Sequence, residues 1–161
     1  MTMLASHNTI VLTSAPMGRF LEGILNTACY PGTNMEVDAA VEPIGGKHTW
    51  QASSLTTGYR QLVAILLENE MIGKTCSDQI ADEQKVRMYC PIPGDELLVL
   101  VSASGTGTGD AVAIGDILIR ASGGTFIATT GTPEQEPFQI METLTDVVAA
   151  GTLTHVMATG T

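Results

Sequence analysis

The sequence predicts an all-β fold, a small barrel or sandwich with at most short helices. Threonine and glycine are frequent, with 21 and 17 copies among 161 residues, whereas aromatic residues make up 4%. Threonine favours strands and glycine supplies the conformations of tight turns, so this balance predicts many short strands. Hydrophobic residues reach 44% and charged residues only 15%, which is the reverse of a disordered chain.

The length of the chain favours a single folded domain. A protein of this size buries roughly 70% of the surface that its unfolded chain exposes, which is enough for a core without disulfides or metal. We predict an extended N-terminal arm over residues 1–15, followed by one β-rich domain over residues 16–161.

Residues 9–13 alternate in polarity and suit either a strand or a free arm, and apolar runs between turn signals predict strands over residues 34–41, 48–53 and 62–67. The last of these runs is apolar throughout, and its length and surroundings favour a buried strand over a helix. Residues 16–28 stay ambiguous, because their apolar spacing suits a helix while Gly18 and Gly23 disfavour one. Residues 77–83 are expected to form one helical turn, with Ser77 as its cap.

The second half has strand candidates at short intervals, over residues 85–89, 96–102, 111–114, 117–120, 125–129, 138–144 and 153–159. Turn sequences separate them, among them Pro93-Gly94-Asp95, Gly115-Asp116 and Ser122-Gly123-Gly124. Glycine supplies the positive φ angles of chain reversals, and aspartate caps them through its side chain. Such a succession is typical of a barrel or a sandwich.

The charge balance excludes several classes of partner. The formal net charge is −10, and no lysine or arginine follows Arg120. Nucleic acids are bound largely through cationic contacts to phosphate, so we expect no nucleic-acid partner. No apolar run approaches the ~20 residues that span a bilayer, so we expect no membrane span. The N-terminus lacks the features of a secretory signal, and synthesis in the cytoplasm is expected.

The sequence indicates neither a metal site nor a cofactor site. Cys29, Cys76 and Cys90 are odd in number and widely spaced, which is typical of buried or idle thiols. Gly73-Lys74-Thr75 is similar to the end of a phosphate-binding loop, but Glu68 stands where that loop needs its first glycine. We therefore predict no cofactor and no metal.

Candidate catalytic groups are present without a recognisable arrangement. Three aspartates follow glycines, which favours turn capping over an acid and base pair, namely Asp95, Asp110 and Asp116. Three histidines stand far apart without a nucleophile motif around them, namely His7, His48 and His155. The aromatic residues Trp50, Tyr59 and Phe126 suit either a core or an interface. We predict that the protein is not an enzyme.

The order of these elements resembles a known family. The relevant features are a Pro-Gly-Thr turn and strand from Pro31, the apolar strand over 63–69, Ile72-Gly73-Lys74-Thr75, Pro93-Gly94-Asp95-Glu96, Gly115-Asp116-Ile117-Leu118 and a Gly-Gly hairpin. This succession resembles the head decoration proteins of tailed bacteriophages, also called capsid cement or auxiliary proteins. The resemblance runs from about Pro31 to the C-terminus.

The resemblance implies a structural role in a virion. Proteins of this family bind the outer surface of the capsid and stabilise the expanded shell. The implied partner is the major capsid protein, the implied assembly is a homotrimer, and the implied location is the exterior of the virion capsid. Within the arm, we predict that Ile10, Val11 and Leu12 contact the capsid by adding a strand to an exposed sheet edge.

Other functions stay open at this point. One alternative is an acidic all-β hydrolase of small molecules, in which several arginines would have to converge on phosphate, namely Arg19, Arg60, Arg87 and Arg120. Another is a virion module that binds carbohydrate or a receptor, which the low aromatic content disfavours. Roles in a fibre or tail also fit relatives of this kind.

Overall fold

The computed structural model describes residues 9–13, 18–54, 63–102, 110–129, 138–147 and 151–159. Over these ranges the chain forms strands and one short 3-10 helix at Glu70–Ile72, which confirms the all-β prediction. The strands are β1 Val11–Thr13, β2 Arg19–Leu25, β3 Met35–Val37, β4 Thr49–Ala52, β5 Ile65–Leu66, β6 Lys85–Cys90, β7 Glu96–Val101, β8 Asp110–Val112, β9 Ile117–Arg120, β10 Phe126–Thr129, β11 Phe138–Ile140, β12 Leu144–Val147 and β13 Thr152–Ala158.

The first half of the described chain forms a closed sheet, here called the N-terminal barrel. Its strands lie in the order β3-β4-β2-β6-β5. Closure comes from residues 32–35 beside β5, where Asn34 bridges Ile65 and the Met35 N–H donates to the Ala64 carbonyl at 2.7 Å. Its core is formed by Leu25, Cys29, Met35, Trp50, Ala64, Leu66, Ile80, Val86, Met88 and Cys90.

The second half forms the C-terminal barrel. The described strands follow the order β7-β10-β9-β11-β13, and β13 pairs again with β7 from Thr152↔Val101 to Met157↔Glu96. Strands β8 and β12 form a separate two-stranded ribbon. The core of this barrel contains Phe126 and Phe138, both fully buried, in an edge-to-face pair with ring centroids 5.2 Å apart.

Strand β7 holds the two barrels together through the edge that β13 does not cover. Three segments satisfy its backbone groups in turn. The Leu98 N–H donates to Ile10 O at 2.8 Å, the Leu100 N–H to Gly32 O at 3.1 Å, and the Ser102 N–H to Phe126 O at 2.8 Å. Because β1, the N-terminal barrel and β10 each cover part of it, this edge is closed over its length.

Strands β5 and β6 form a wall that the two cores share. Ile65 and Tyr89 pack into the core of the C-terminal barrel, whereas Leu66 and Met88 pack into that of the N-terminal barrel. Side chains alternate between the two faces of a strand, so the parts of this wall that are buried on both sides, residues 64–67 and 88–90, are apolar on both faces. Lys85 and Arg87 at the other end of β6 are exposed. The predicted buried strand over 62–67 is confirmed at β5, Ile65–Leu66, while Leu62 lies outside the described residues.

Several local predictions are corrected or resolved by the structure. The ambiguous segment 16–28 contains strand β2, in which Gly23 lies against Trp50, so a Cβ at this position would clash with the Trp50 ring. The predicted helical turn over 77–83 is wrong. Thr75 instead donates its N–H to the Asp78 carboxylate at 2.9 Å, which forms a local turn there. The predicted strand 138–144 is split into β11 and β12.

Candidate docking surfaces

The predicted capsid-contact segment is attached to the C-terminal barrel. Val11 pairs with Leu97, and Ile10 is fully buried in the core. The Ile10 N–H donates to Glu68 Oε2 at 2.9 Å, so a side chain of the shared wall's loop fixes the segment. Val11 and Leu12 are half-buried. Residues 1–8 and 14–17 lie outside the described residues, and the predicted capsid contact stays a prediction.

At the start of β2, an exposed aromatic ring packs on a buried tyrosine whose hydroxyl makes two hydrogen bonds, here called the buried relay. The ring of Phe20 is 42% exposed and lies against the fully buried Tyr89, with centroids 5.0 Å apart. The Tyr89 hydroxyl accepts from the Gly18 N–H at 2.7 Å and donates to Asp95 Oδ2, also at 2.7 Å. Because Tyr89 is fixed from both sides, Phe20 presents a preorganised apolar surface to solvent.

Charged side chains continue this surface along β2 and β6. Glu22 lies opposite Arg87 in the strand register. Lys85 precedes Arg87 by two residues and therefore lies on the same side of β6. The Lys47 ammonium donates to the Glu22 carboxylate. That hydrogen bond and the Lys47 charge, with smaller effects of Arg87 and Lys85, lower the pKa of Glu22 below its usual range. Phe20, Glu22, Lys47, Lys85 and Arg87 are here called the basic face.

A short helix borders the basic face. The Asn69 side chain donates to the Lys85 carbonyl at 3.0 Å and so holds the following 3-10 helix beside β6. In this helix Met71 is 95% exposed and Ile72 is 50% exposed. Asp82 and Glu83 lie in the turn before Lys85 and bound the face at that end. The surface thus combines exposed apolar groups with three cations and one carboxylate.

The C-terminal barrel presents a different surface. Residues 91–161 contain eight acidic residues and one arginine, Arg120, which is buried. Ile114 is 65% exposed in the turn before β9, where Asp116 accepts from the Ala113 N–H at 2.9 Å. The Ile114 N–H donates to the Thr143 hydroxyl at 3.4 Å, and the preceding residue, Glu142, accepts from the His155 N–H through Oε1 at 2.7 Å. Ile114, Asp116 and Glu142 are here called the acidic turn.

The structure does not gather the described catalytic candidates into one centre. Arg19 and Arg87 are exposed on opposite sides of the β2–β6 pair, and Arg120 is buried in the other barrel. Arg60 and His7 lie outside the described residues. His48 borders the N-terminal barrel, whereas His155 Nε2 lies 2.9 Å from Glu96 Oε2 on the C-terminal barrel.

The turn-capping interpretation of the aspartates is confirmed where their side chains are described. Asp95 accepts from the Ile92 N–H at 2.9 Å, and Asp116 accepts from the Ala113 N–H at the same distance. The cysteines are buried free thiols, as predicted, and burial raises the pKa of Cys29, Cys76 and Cys90 above the usual range. Trp50 and Phe126 are core residues; Tyr59 lies outside the described residues.

Among the described residues, no group of three or more His, Cys, Asp or Glu side chains is placed to hold a metal ion. Within the same ranges, no helix has the length and apolar character needed to cross a membrane.

Comparison with known proteins gives a match in structure alone. No protein-family model matches the sequence, and no curated protein matches it. Among solved structures, the head fiber gp8.5 N base of bacteriophage phi29 is similar, with a TM-score of 0.54 and 10% sequence identity. The match covers 89% of this chain and 95% of that chain. The two proteins share a fold. The resemblance to phage head auxiliary proteins is thereby confirmed at the level of the fold.

Proposed function

We propose that this protein is a non-enzymatic structural component of a phage virion that binds the outer surface of the head and stabilises the expanded shell. The observation that carries the proposal is the fold shared with a phage head protein over nearly the whole of both chains. The sequence resemblance to head decoration proteins points to the same class of protein independently of the structure.

The roles of the charged side chains support a structural function. The carboxylates of Asp95 and Asp116 accept hydrogen bonds from backbone N–H groups of turns, and the Glu68 carboxylate accepts one from the Ile10 N–H. The Tyr89 hydroxyl is likewise committed to Gly18 and Asp95. These groups rigidify two fused barrels, and a rigid body with exposed anchors such as Phe20 is what a surface-binding protein requires.

Stabilisation of the shell follows from linkage. A protein that binds only the assembled shell lowers its free energy by RT ln(1 + [L]/Kd), about 4 kcal/mol per site at a thousandfold excess over Kd. The proposed partner is the major capsid protein, and the proposed assembly is a homotrimer on the virion exterior. Closed cyclic symmetry would present equivalent contact segments to neighbouring capsid subunits.

The N-terminal segment is the proposed contact with the shell, in one of two forms. With Ile10 kept in the core, Val11 and Leu12 are the side chains that can touch a partner. Donation of the whole strand would instead withdraw Ile10 from the barrel and leave the Leu98 N–H without its acceptor. The first form costs less, because burying an unsatisfied N–H costs about 1–3 kcal/mol.

Sedimentation with expanded, decoration-free capsids tests the proposal. We expect stoichiometric binding of the purified protein and greater heat resistance of the loaded shells. Leu12→Asp should weaken binding, whereas Thr27→Asp, on an exposed loop of the N-terminal barrel, serves as the charge-matched control. Protein that stays in the supernatant at all concentrations would contradict shell binding, and equal binding by Leu12→Asp would contradict the assigned segment.

The match to a fibre base favours a second candidate function, attachment of a longer fibre to the head. Attachment of a fibre requires binding to the head but does not require stabilisation of the shell. Binding with unchanged heat resistance of the shells would therefore support this second function over the first.

A further inference from the structure

The basic face and the acidic turn are complementary in both charge and polarity. The basic face has three cations against Glu22, and Phe20 and Met71 add exposed apolar groups to it. The acidic turn combines the exposed Ile114 with Asp116 and Glu142. The basic face thus carries exposed apolar groups and three cations, with Asp82 and Glu83 only at its edge, and the acidic turn carries an exposed apolar group with two carboxylates and no cation. Apolar groups with opposite charges beside them are what the two sides of a specific protein contact present.

Within a single chain these apolar groups are left in solvent. Phe20, Met71 and Ile114 are 42%, 95% and 65% exposed, respectively. Burying each would remove apolar area from water and so favour association. The two surfaces belong to different barrels, so a second copy of the chain can supply the partner that each one lacks.

We propose that the basic face of one copy binds the acidic turn of a second copy. This inference rests on the homo-oligomer of the proposed function and identifies the surfaces that form it. The contact is heterologous, because two different patches meet. Heterologous contacts generate a ring when the rotation between copies closes, and a trimer is one such ring.

Ring formation assigns a role to each residue of the contact. Phe20 is the anchor, since it is an aromatic side chain held rigidly on Tyr89 at the surface. Arg87 and Lys85 meet the carboxylates of the acidic turn, and Ile114 packs on the apolar part of the face. Because the charges lie at the rim of the contact, association should weaken as salt rises from about 50 mM to about 500 mM.

A charge swap between the two surfaces tests the contact. Sedimentation equilibrium of the full chain measures the self-association Kd. Arg87→Glu places a carboxylate against the acidic turn, and Ile114→Arg places a cation against the basic face, so each should raise Kd about tenfold or more. In the double variant the two introduced side chains have opposite charges and can pair with each other, so it should recover much of the lost affinity.

Arg19→Glu is the matched control, because it makes the same charge change on the opposite side of the same pair of strands. Its Kd should stay close to that of the unmodified chain. A monomer at all concentrations would overturn the inference. An increase in Kd with Arg19→Glu equal to that with Arg87→Glu would also overturn it. So would a double variant that associates more weakly than both single variants.

Shell binding distinguishes failure of this contact from failure of the proposed function. If the unmodified chain is monomeric but still sediments with expanded capsids, the contact and the proposed homotrimer are wrong, whereas shell binding stands. If it forms an oligomer that the charge swap controls but never binds shells, the contact stands and the proposed function fails.

Discussion

The two barrels have the same architecture and different surfaces. Each closes five described strands around its own core, and β5 and β6 serve both. Of the seven large apolar side chains that the described residues expose, six belong to the N-terminal barrel and one, Ile114, to the C-terminal barrel. The C-terminal region has a large excess of acidic residues. The two barrels thus share an architecture, and they differ in the apolar and charged groups that they expose.

The interiors differ as well. The C-terminal barrel has two phenylalanines in edge-to-face contact, whereas the core of the N-terminal barrel includes the sulfur-containing Met35, Met88, Cys29 and Cys90 around Trp50. Methionine fills irregular space with a flexible side chain, while a packed aromatic pair is sensitive to truncation. Truncation of a core side chain should therefore destabilise the C-terminal barrel more than the N-terminal barrel.

Truncation of the aromatic pair should have the largest effect. Phe126→Ala removes a fully buried ring and its contact with Phe138, which should cost about 3–5 kcal/mol of unfolding free energy. The exposed Phe20→Ala is the control and should cost much less. Urea denaturation followed by circular dichroism measures both. Equal losses in the two variants would show that the two rings do not differ in burial as described.

The shared wall gives the next prediction. Ile65→Ala and Leu66→Ala affect opposite cores, yet each should cost about 2–5 kcal/mol. Because the wall belongs to both barrels, each variant should still unfold in a single transition. Calorimetry of the two variants checks this. Two separate transitions in either variant would show that the barrels unfold independently.

The sequence predicts the strands better than it predicts their pairing. Turns such as Pro93-Gly94-Asp95 are local, so strand positions follow from nearby residues. The pairing of β7 with β13 joins residues more than fifty positions apart, and no local pattern specifies it. Division of the domain into two barrels therefore emerges only in three dimensions, although the apolar run at 62–67 already indicates burial on both faces.

The buried relay under Phe20 gives a smaller effect. Tyr89→Phe removes the hydroxyl that donates to Asp95 and accepts from Gly18, and Asp95 is 1% exposed. Loss of this partner should cost about 1–3 kcal/mol. Tyr30→Phe, at an exposed tyrosine of the same barrel, should change stability by less than about 0.5 kcal/mol. Equal effects at the two positions would argue against the relay.

The smallest predicted effect is the pH dependence linked to Glu36 on the N-terminal barrel. Burial raises the pKa of Glu36, but hydrogen bonds from Ser54, Ser53 and Gln51 outweigh it and bring the pKa below its usual range. A lowered folded-state pKa stabilises the fold above the unfolded-state pKa, and this contribution is lost as pH falls through the folded-state value.

Glu36→Gln should therefore lower Tm slightly near neutral pH, with the difference from the unmodified chain vanishing in acid. Thermal unfolding between about pH 7 and about pH 3 measures it. Glu42→Gln, at an exposed glutamate in a nearby loop, is the control. A difference that grows in acid would contradict the assigned sign.

The candidate surfaces could be predicted only in part. The alternation of Thr9 to Thr13 indicates a strand at Ile10, Val11 and Leu12, but alternation does not specify whether its partner is this chain or another. Here the partner is β7. The exposure of Phe20 depends on its packing against Tyr89, sixty-nine positions away, so sequence reasoning missed the basic face. The available signal in the sequence was the pair of charges that flank Phe20 and Leu21, namely Arg19 and Glu22, which indicates that this part of the strand faces solvent.

Electron cryomicroscopy of expanded capsids saturated with the protein tests the central claim most directly. The account predicts density for two fused barrels on the outer surface, repeated at equivalent lattice positions, with residues near Leu12 against the shell and the N-terminal barrel of one copy beside the C-terminal barrel of the next. Shells without added density on their exterior would contradict the proposed function.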